Sequence, residues 1–131
     1  MPAFLSSLNA RAYALMRIMT GFMFLWHGVQ KLFGYPSPMP DGVPAFIIYV
    51  AGPIEAFGGA LVMIGLFTWQ AAFLSSGLMA AAYWMGHGTK AFLPSVNQGE
   101  LAALYCFVFL FISTHGAGIW SVDAARGRKG A

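Results

Sequence analysis

The residues that could do chemistry are six ionisable side chains set among apolar ones: Arg17, His27, Lys31, Glu55, His87 and Glu100. Carboxylates and imidazoles exchange protons, and a cation beside a carboxylate can pair with it or hold a polar ligand. Glu55 is the sharpest of the six, about 14 Å into an apolar stretch that starts near Phe46. A charge in hydrocarbon is costly, so it faces other protein, finds a partner or reaches the headgroups. Ala51, Gly52, Gly58, Gly59 and Val62 share its face at helical spacing, and small residues let a second helix approach closely. Glu55 is therefore expected at a helix–helix contact, with Arg17 or His27 as its partner. That partnership reads equally as a structural ion pair, a protonated acid hydrogen-bonded across helices, or a functional site.

Arg17, Gly21, Phe24, Gly28 and Lys31 fall on one stripe of a helix, with Thr20 and His27 at its edge. Arg17 and Lys31 stand about 21 Å apart along the axis, at the two ends of the stripe. Each cation could snorkel to its own headgroup layer. His27, roughly 9 Å inside the outer end, lies too deep to do so easily. Asn97-Gln98-Gly99-Glu100 reads as a variant capping box, with Glu100 favoured by the helix dipole. Glu100, His87 and Lys31 nonetheless share the outer end, and with Glu55 and His27 could line a polar pocket opening outward. His115, beside Ser113 and Thr114, falls at the opposite end as an interfacial residue.

Other chemistries are disfavoured. Cys106 is the only cysteine, so one chain can form no disulfide, redox dithiol or multi-thiolate site. Of the three histidines, His115 is a membrane thickness from the others, and His27 and His87 differ in depth by a turn or more. No metal site is expected, since zinc would have to draft Glu55 or Glu100, and haem is disfavoured with it. The many aromatics would suit a quinone or carotenoid, but such residues more often pack or face lipid.

The elements that must hold these residues are helices. Hydrophobic residues make up 59% of the 131 and charged residues 8%, far too few to cover a water-facing surface. Seven Lys and Arg are too thin a footprint for nucleic acid, so that partner is excluded. The chain reads as one all-α integral membrane domain, an up-down-up-down four-helix bundle with spans at about 13–33, 46–67, 70–88 and 99–118. Residues 1–12 form a short N-terminal segment and 119–131 a basic tail. The four prolines from Gly34 to Pro44 mark a stiff first loop, and the polar Thr68-Trp69-Gln70 divides two spans that are otherwise continuous. Arg11, Arg126, Arg128 and Lys129 lie on the side of the termini, with Arg17 just inside. Lys31 and Lys90 lie on the other. The positive-inside rule puts both termini on the cytoplasmic side of the membrane.

The sequences Arg17-Ile-Met-Thr-Gly21 and Phe24-Leu-Trp-His-Gly28-Val-Gln-Lys31 resemble the first-helix signature of the DoxX family of small four-helix membrane proteins. Glu55, the following Gly58 and Gly59, and Gly65-Leu66 resemble its second-helix motif. Glu100-Leu101-Ala102 and the closing Gly116-Ala-Gly118-Ile-Trp-Ser121-Val-Asp123 resemble its fourth-helix signature. The resemblance runs from about Arg17 to Asp123. It marks Arg17, His27, Lys31, Glu55, Glu100 and Asp123 as signature positions and Gly21, Gly28, Gly58, Gly59, Gly65, Gly116, Gly118 and Ser121 as structural ones. It implies an accessory or membrane subunit in quinone-linked redox chemistry, since the family is similar to the membrane part of thiosulfate:quinone oxidoreductases. The resemblance fixes no cofactor and leaves quinone as the candidate, with haem and metal disfavoured, and the expected partners are the bilayer and another protein subunit or a second copy. A non-catalytic scaffold, assembly factor or small-solute passage is the first alternative; a pigment or haem binder is the second.

Overall fold

Nothing between Ala3 and Phe33 breaks a helix: there is no proline, and the two glycines are isolated. The computed structural model, which describes residues 1–127, has a single 31-residue helix there, α1 (Ala3–Phe33). It starts at Ala3 and not near Tyr13. Hydropathy marks where an apolar run begins, whereas helix formation needs only the absence of a breaker. Ser6 and Ser7 turn their hydroxyls back onto the Ala3 and Phe4 carbonyls at 2.7 Å, so they do not compete with the helix. Residues 3–12 are thus an exposed extension of α1.

The second long element begins with a π-helical turn (Ile47–Ala51) that runs into α2 (Gly52–Ile64). Pro53 supplies a reason for the irregular start, because it lacks an N–H and its ring crowds the preceding turn. The helix ends at Gly65, whose φ of 71° suits a residue without Cβ. There Gly65 N–H donates to Val62 O and Leu66 N–H to Leu61 O, closing the turn. α3 (Thr68–Tyr83) follows at once and finishes in a second π-helical turn (Trp84–Gly88). A short α4 (Pro94–Asn97) leads into α5 (Glu100–His115), and α6 (Val122–Ala125) closes the described chain. The tail expected from residue 119 is folded as far as Gly127, while Arg128 and Lys129 lie outside the described residues.

Neighbouring long helices run antiparallel. Gly21 meets Gly59 and Met63, and Gly28 meets Gly52 and Ala56, so α1 and α2 touch backbone to backbone. A Cβ on Gly28 would come within 2.6 Å of Ala56 Cα, so nothing larger than hydrogen fits. Ser76 Oγ donates to Cys106 O at 2.7 Å, tying α3 to α5, and Phe24 of α1 packs on Phe109 and Tyr105 of α5. The order of the ring is α1, α2, α3, α5.

The interior is unusual for a water-soluble bundle. Arg17, Thr68, Ser75 and Asp123 are fully buried, while Phe22, Phe57, Phe73, Leu104 and Phe107 are exposed. Among the described residues one helix, Ile47–Ile64, is long and apolar enough by itself to cross a membrane; Glu100–His115 is apolar but shorter.

Candidate functional site

Buried charge collects at the two ends of the bundle, in different ways. At the end near the termini, the α2–α3 hairpin leaves carbonyls at the finish of α2 and N–H groups at the start of α3. Arg17 reaches across from α1 and donates from Nη1 to Val62 O (2.7 Å) and Met63 O (2.8 Å). Its Nη2 donates to Trp120 O (2.7 Å) and Ile119 O (3.3 Å) in the closing segment. The Asp123 carboxylate accepts from Phe67 N (3.2 Å), Thr68 N (3.0 Å) and Thr68 Oγ1 (2.9 Å). A cation thus caps the negative end of one helix dipole and an anion the positive end of the next. Asp123 N–H also donates to Gly65 O at 2.9 Å.

Other residues of the closing segment pack at the same clamp. Ser121 Oγ accepts from Ala124 N at 3.2 Å as the N-cap of α6, Gly116 O accepts from the Tyr13 hydroxyl, and Gly118 adopts φ 67° beside the Tyr13 ring. The His115 ring lies against the Tyr13 ring at the same end, tilted by 37° with centroids 3.9 Å apart.

At the other end, Lys31 Nζ lies 2.6 Å from Glu55 Oε2, and both side chains are largely buried. This corrects the expected partner of Glu55. Antiparallel packing sets Glu55 opposite the last turn of α1, so Arg17 is near the far end of the molecule. His27 stands nearby, edge-on to Tyr105 with ring centroids 6.0 Å apart. Gly58, which follows Glu55 by nearly one turn, faces Ser75 of α3.

Two cavities open at Glu55. One, of about 360 Å³, is bounded by Lys31, Glu55, Met79, Ala82 and His87, and both π-helical turns contribute to its wall. π-turns recur at functional sites because they shift side chains out of α-helical register. The second, of about 280 Å³, is lined by His27, Glu55, His87, Gln98 and Tyr105 among others. Glu55 and His87 border both. His87 Nδ1 lies 2.9 Å from Asn97 O.

Of the five residues expected around an outer pocket, Glu55 and His87 border both cavities, Lys31 the first alone and His27 the second alone. Glu100 does not join them. It is exposed in the first turn of α5, and the N-cap is Gly99, with no side-chain cap bond. Asn97 ends α4, and its Oδ1 accepts from Gly99 N at 2.8 Å, so the capping box expected from Asn97 and Glu100 does not form. Tyr105 and Asn97 are the site residues that sequence reasoning missed. Tyr105 is one of a run of aromatics, and Asn97 gave a capping signal that concealed its structural role. No group of three His, Cys, Asp or Glu among the described residues is placed to hold a metal ion.

The chain is 41% identical over 116 residues to an uncharacterized protein of Haemophilus influenzae, covering 84% of this chain and 87% of that one. It is 40% identical over 58 residues to the "Putative oxidoreductase CatD" of Bacillus subtilis, covering 41% of this chain and 43% of that protein. No solved structure matches it. The DoxX family model matches residues 12–88, a stretch that holds Arg17, the Lys31–Glu55 pair and His87, and the chain belongs to the DoxX family.

Proposed function

We propose that this protein is a multi-pass subunit of the bacterial inner membrane in quinone-linked redox chemistry, with the Lys31–Glu55 cavity as the seat of the quinone head. The cavity carries the reading: about 360 Å³ of mostly apolar space that ends on an ion pair and an imidazole. A quinone head has apolar faces and polar oxygens, and its redox change moves protons with electrons, so its site needs ionisable groups at membrane depth. The electron donor or acceptor sits on another chain in this reading, and the oxidoreductase name of CatD is consistent with that setting.

The membrane placement is supported by the exposed Phe, Leu and Met around helices whose charges turn inward. Arg17 and Lys31 in α1 and Glu55 in α2 are all engaged inside the bundle, which lets a helix with modest hydropathy cross. Arg11, Arg17 and Arg126 stand at the end of the termini and Lys31 and Lys90 at the other, which supports cytoplasmic termini.

The test is to purify the protein in mild detergent, extract its lipids, and compare bound quinone with that of Glu55→Gln. Quinone is expected with the wild type and severalfold less with the variant; none in either overturns the reading. The Arg17–Asp123 clamp favours a second reading, a non-catalytic scaffold or assembly component. It predicts that Glu55→Gln lowers recovery of a complex while leaving any bound quinone unchanged.

A further inference from the structure

The hydrogen-bonding capacity at the cavity wall says which redox form fits it. Asn97 is buried, and its side chain is tied down three ways: Nδ2 donates to Tyr83 Oη (3.1 Å) and Ala91 O (3.0 Å), and Oδ1 accepts from Gly99 N (2.8 Å). Its backbone carbonyl is thereby fixed in front of His87 Nδ1, 2.9 Å away. A carbonyl can only accept, so the proton of the neutral imidazole sits on Nδ1 and Nε2 is left as an acceptor. The π-helical turn Trp84–Gly88 places this ring on the wall that both cavities share. Glu55 offers further acceptor capacity beyond its bond to Lys31, and the Lys31 ammonium retains donors beyond its bond to Glu55.

A ligand oxygen that meets all three groups must donate and accept at once. A hydroxyl does so, giving its hydrogen to His87 Nε2 or Glu55 and accepting from Lys31. A quinone carbonyl serves Lys31 alone and leaves the acceptors facing it unmet, which costs affinity in a dry site. We infer that the cavity prefers the reduced, hydroxyl-bearing aromatic head over its oxidised form, with His87 Nε2 as the acceptor of its O–H and Asn97 as the residue that positions His87. The inference rests on the quinone reading above and adds a redox state and two residues to it.

The experiment is equilibrium binding, without oxygen, of a short-tailed benzoquinol and the matching benzoquinone to the purified full-length protein. The quinol should bind roughly tenfold tighter. His87→Phe should bring the two affinities together, His87→Gln should restore part of the difference through its amide oxygen, and Asn97→Ala should shrink it. Failure of both probes to bind overturns the quinone reading and this inference with it. Equal binding of the two by the wild type overturns the inference alone. A preference that survives in His87→Phe removes His87 from it. The wild-type comparison needs no variant, so a misfolded substitution leaves the preference testable.

Discussion

Arg17 and Lys31 occupy the same stripe of one helix and have different surroundings. Arg17 gives its hydrogen bonds to four backbone carbonyls, and no cavity adjoins it in either of the two volumes described above. Lys31 meets a side-chain carboxylate, and open space lies beside the pair. The difference separates two uses of buried charge. Backbone carbonyls at a helix end are part of the fold, so the cation they hold is committed to it. A carboxylate on a neighbouring helix can share its partner with a third group, and the empty volume gives that group a place.

The largest expected effect is at the clamp. Arg17→Met should strip cover from both the α2 end and the closing segment, and Asp123→Ala should uncap α3; each leaves several buried polar groups unpaired, at about 1–3 kcal/mol apiece. Unfolding in detergent, followed by denaturant titration, measures it. Arg17→Lys should recover little, since one ammonium cannot fork to carbonyls on two segments. If Arg17→Met unfolds no more easily than Lys31→Met, the contrast between the two ends is gone.

The second effect sharpens the contrast. Lys31→Met alone leaves the Glu55 carboxylate buried without its cation and should cost about 3 kcal/mol. The double variant Lys31→Met/Glu55→Leu should regain most of that loss, because removing both charges together leaves none unpaired. Bound quinone, measured in the same samples, should stay lost. Stability without ligand is the expected signature of a site. At the Arg17 end no such rescue exists, because its partners are main-chain atoms that substitution cannot remove.

The helices are more legible in the sequence than the bonds between them. The four long elements follow from proline and glycine punctuation and from apolar run length, but the start of α1 does not, because hydropathy reports an apolar run and not helicity. Glu55 was legible as a group needing a partner, since depth and small neighbours settle that much. Which cation it meets depends on the offset between two antiparallel helices. That offset is set by Gly21 against Gly59 and Gly28 against Ala56, contacts that periodicity does not register. The partners of Arg17 are hidden for a related reason: carbonyls are present at every residue, so no sequence pattern announces that a side chain will bind them. His87 and Tyr105 come together only when α3 and α5 pack.

A smaller effect tests the reach of the clamp. Ser121→Ala removes the N-cap of α6, and loss of such a cap costs about 1 kcal/mol. Because Asp123 sits in the first turn of α6, the variant should also loosen the capping of α3. Amide hydrogen exchange at Phe67 and Thr68 should rise, while exchange around His87 stays as it was. Equal changes at both ends would mean that the two regions do not behave independently.

The smallest effect is expected at Glu100, and its smallness is informative. The residue shares the outer end with Lys31 and His87 and carries the same charge as Glu55, so a pocket defined by charge alone would include it. It is instead exposed in the first turn of α5, where its contribution is that of an acid near a helix N-terminus. At an exposed position that is worth about 0.3–1 kcal/mol at low ionic strength and less in salt. Glu100→Gln should therefore shift unfolding by about 0.5 kcal/mol or less and leave bound quinone at the wild-type level. Glu55→Gln, the same chemical change on a buried carboxylate, should do the reverse, with its main consequence in the ligand. A loss of quinone in Glu100→Gln as large as that in Glu55→Gln would extend the site to the start of α5, and buried pairing would no longer be what distinguishes a ligand-holding carboxylate from a surface one.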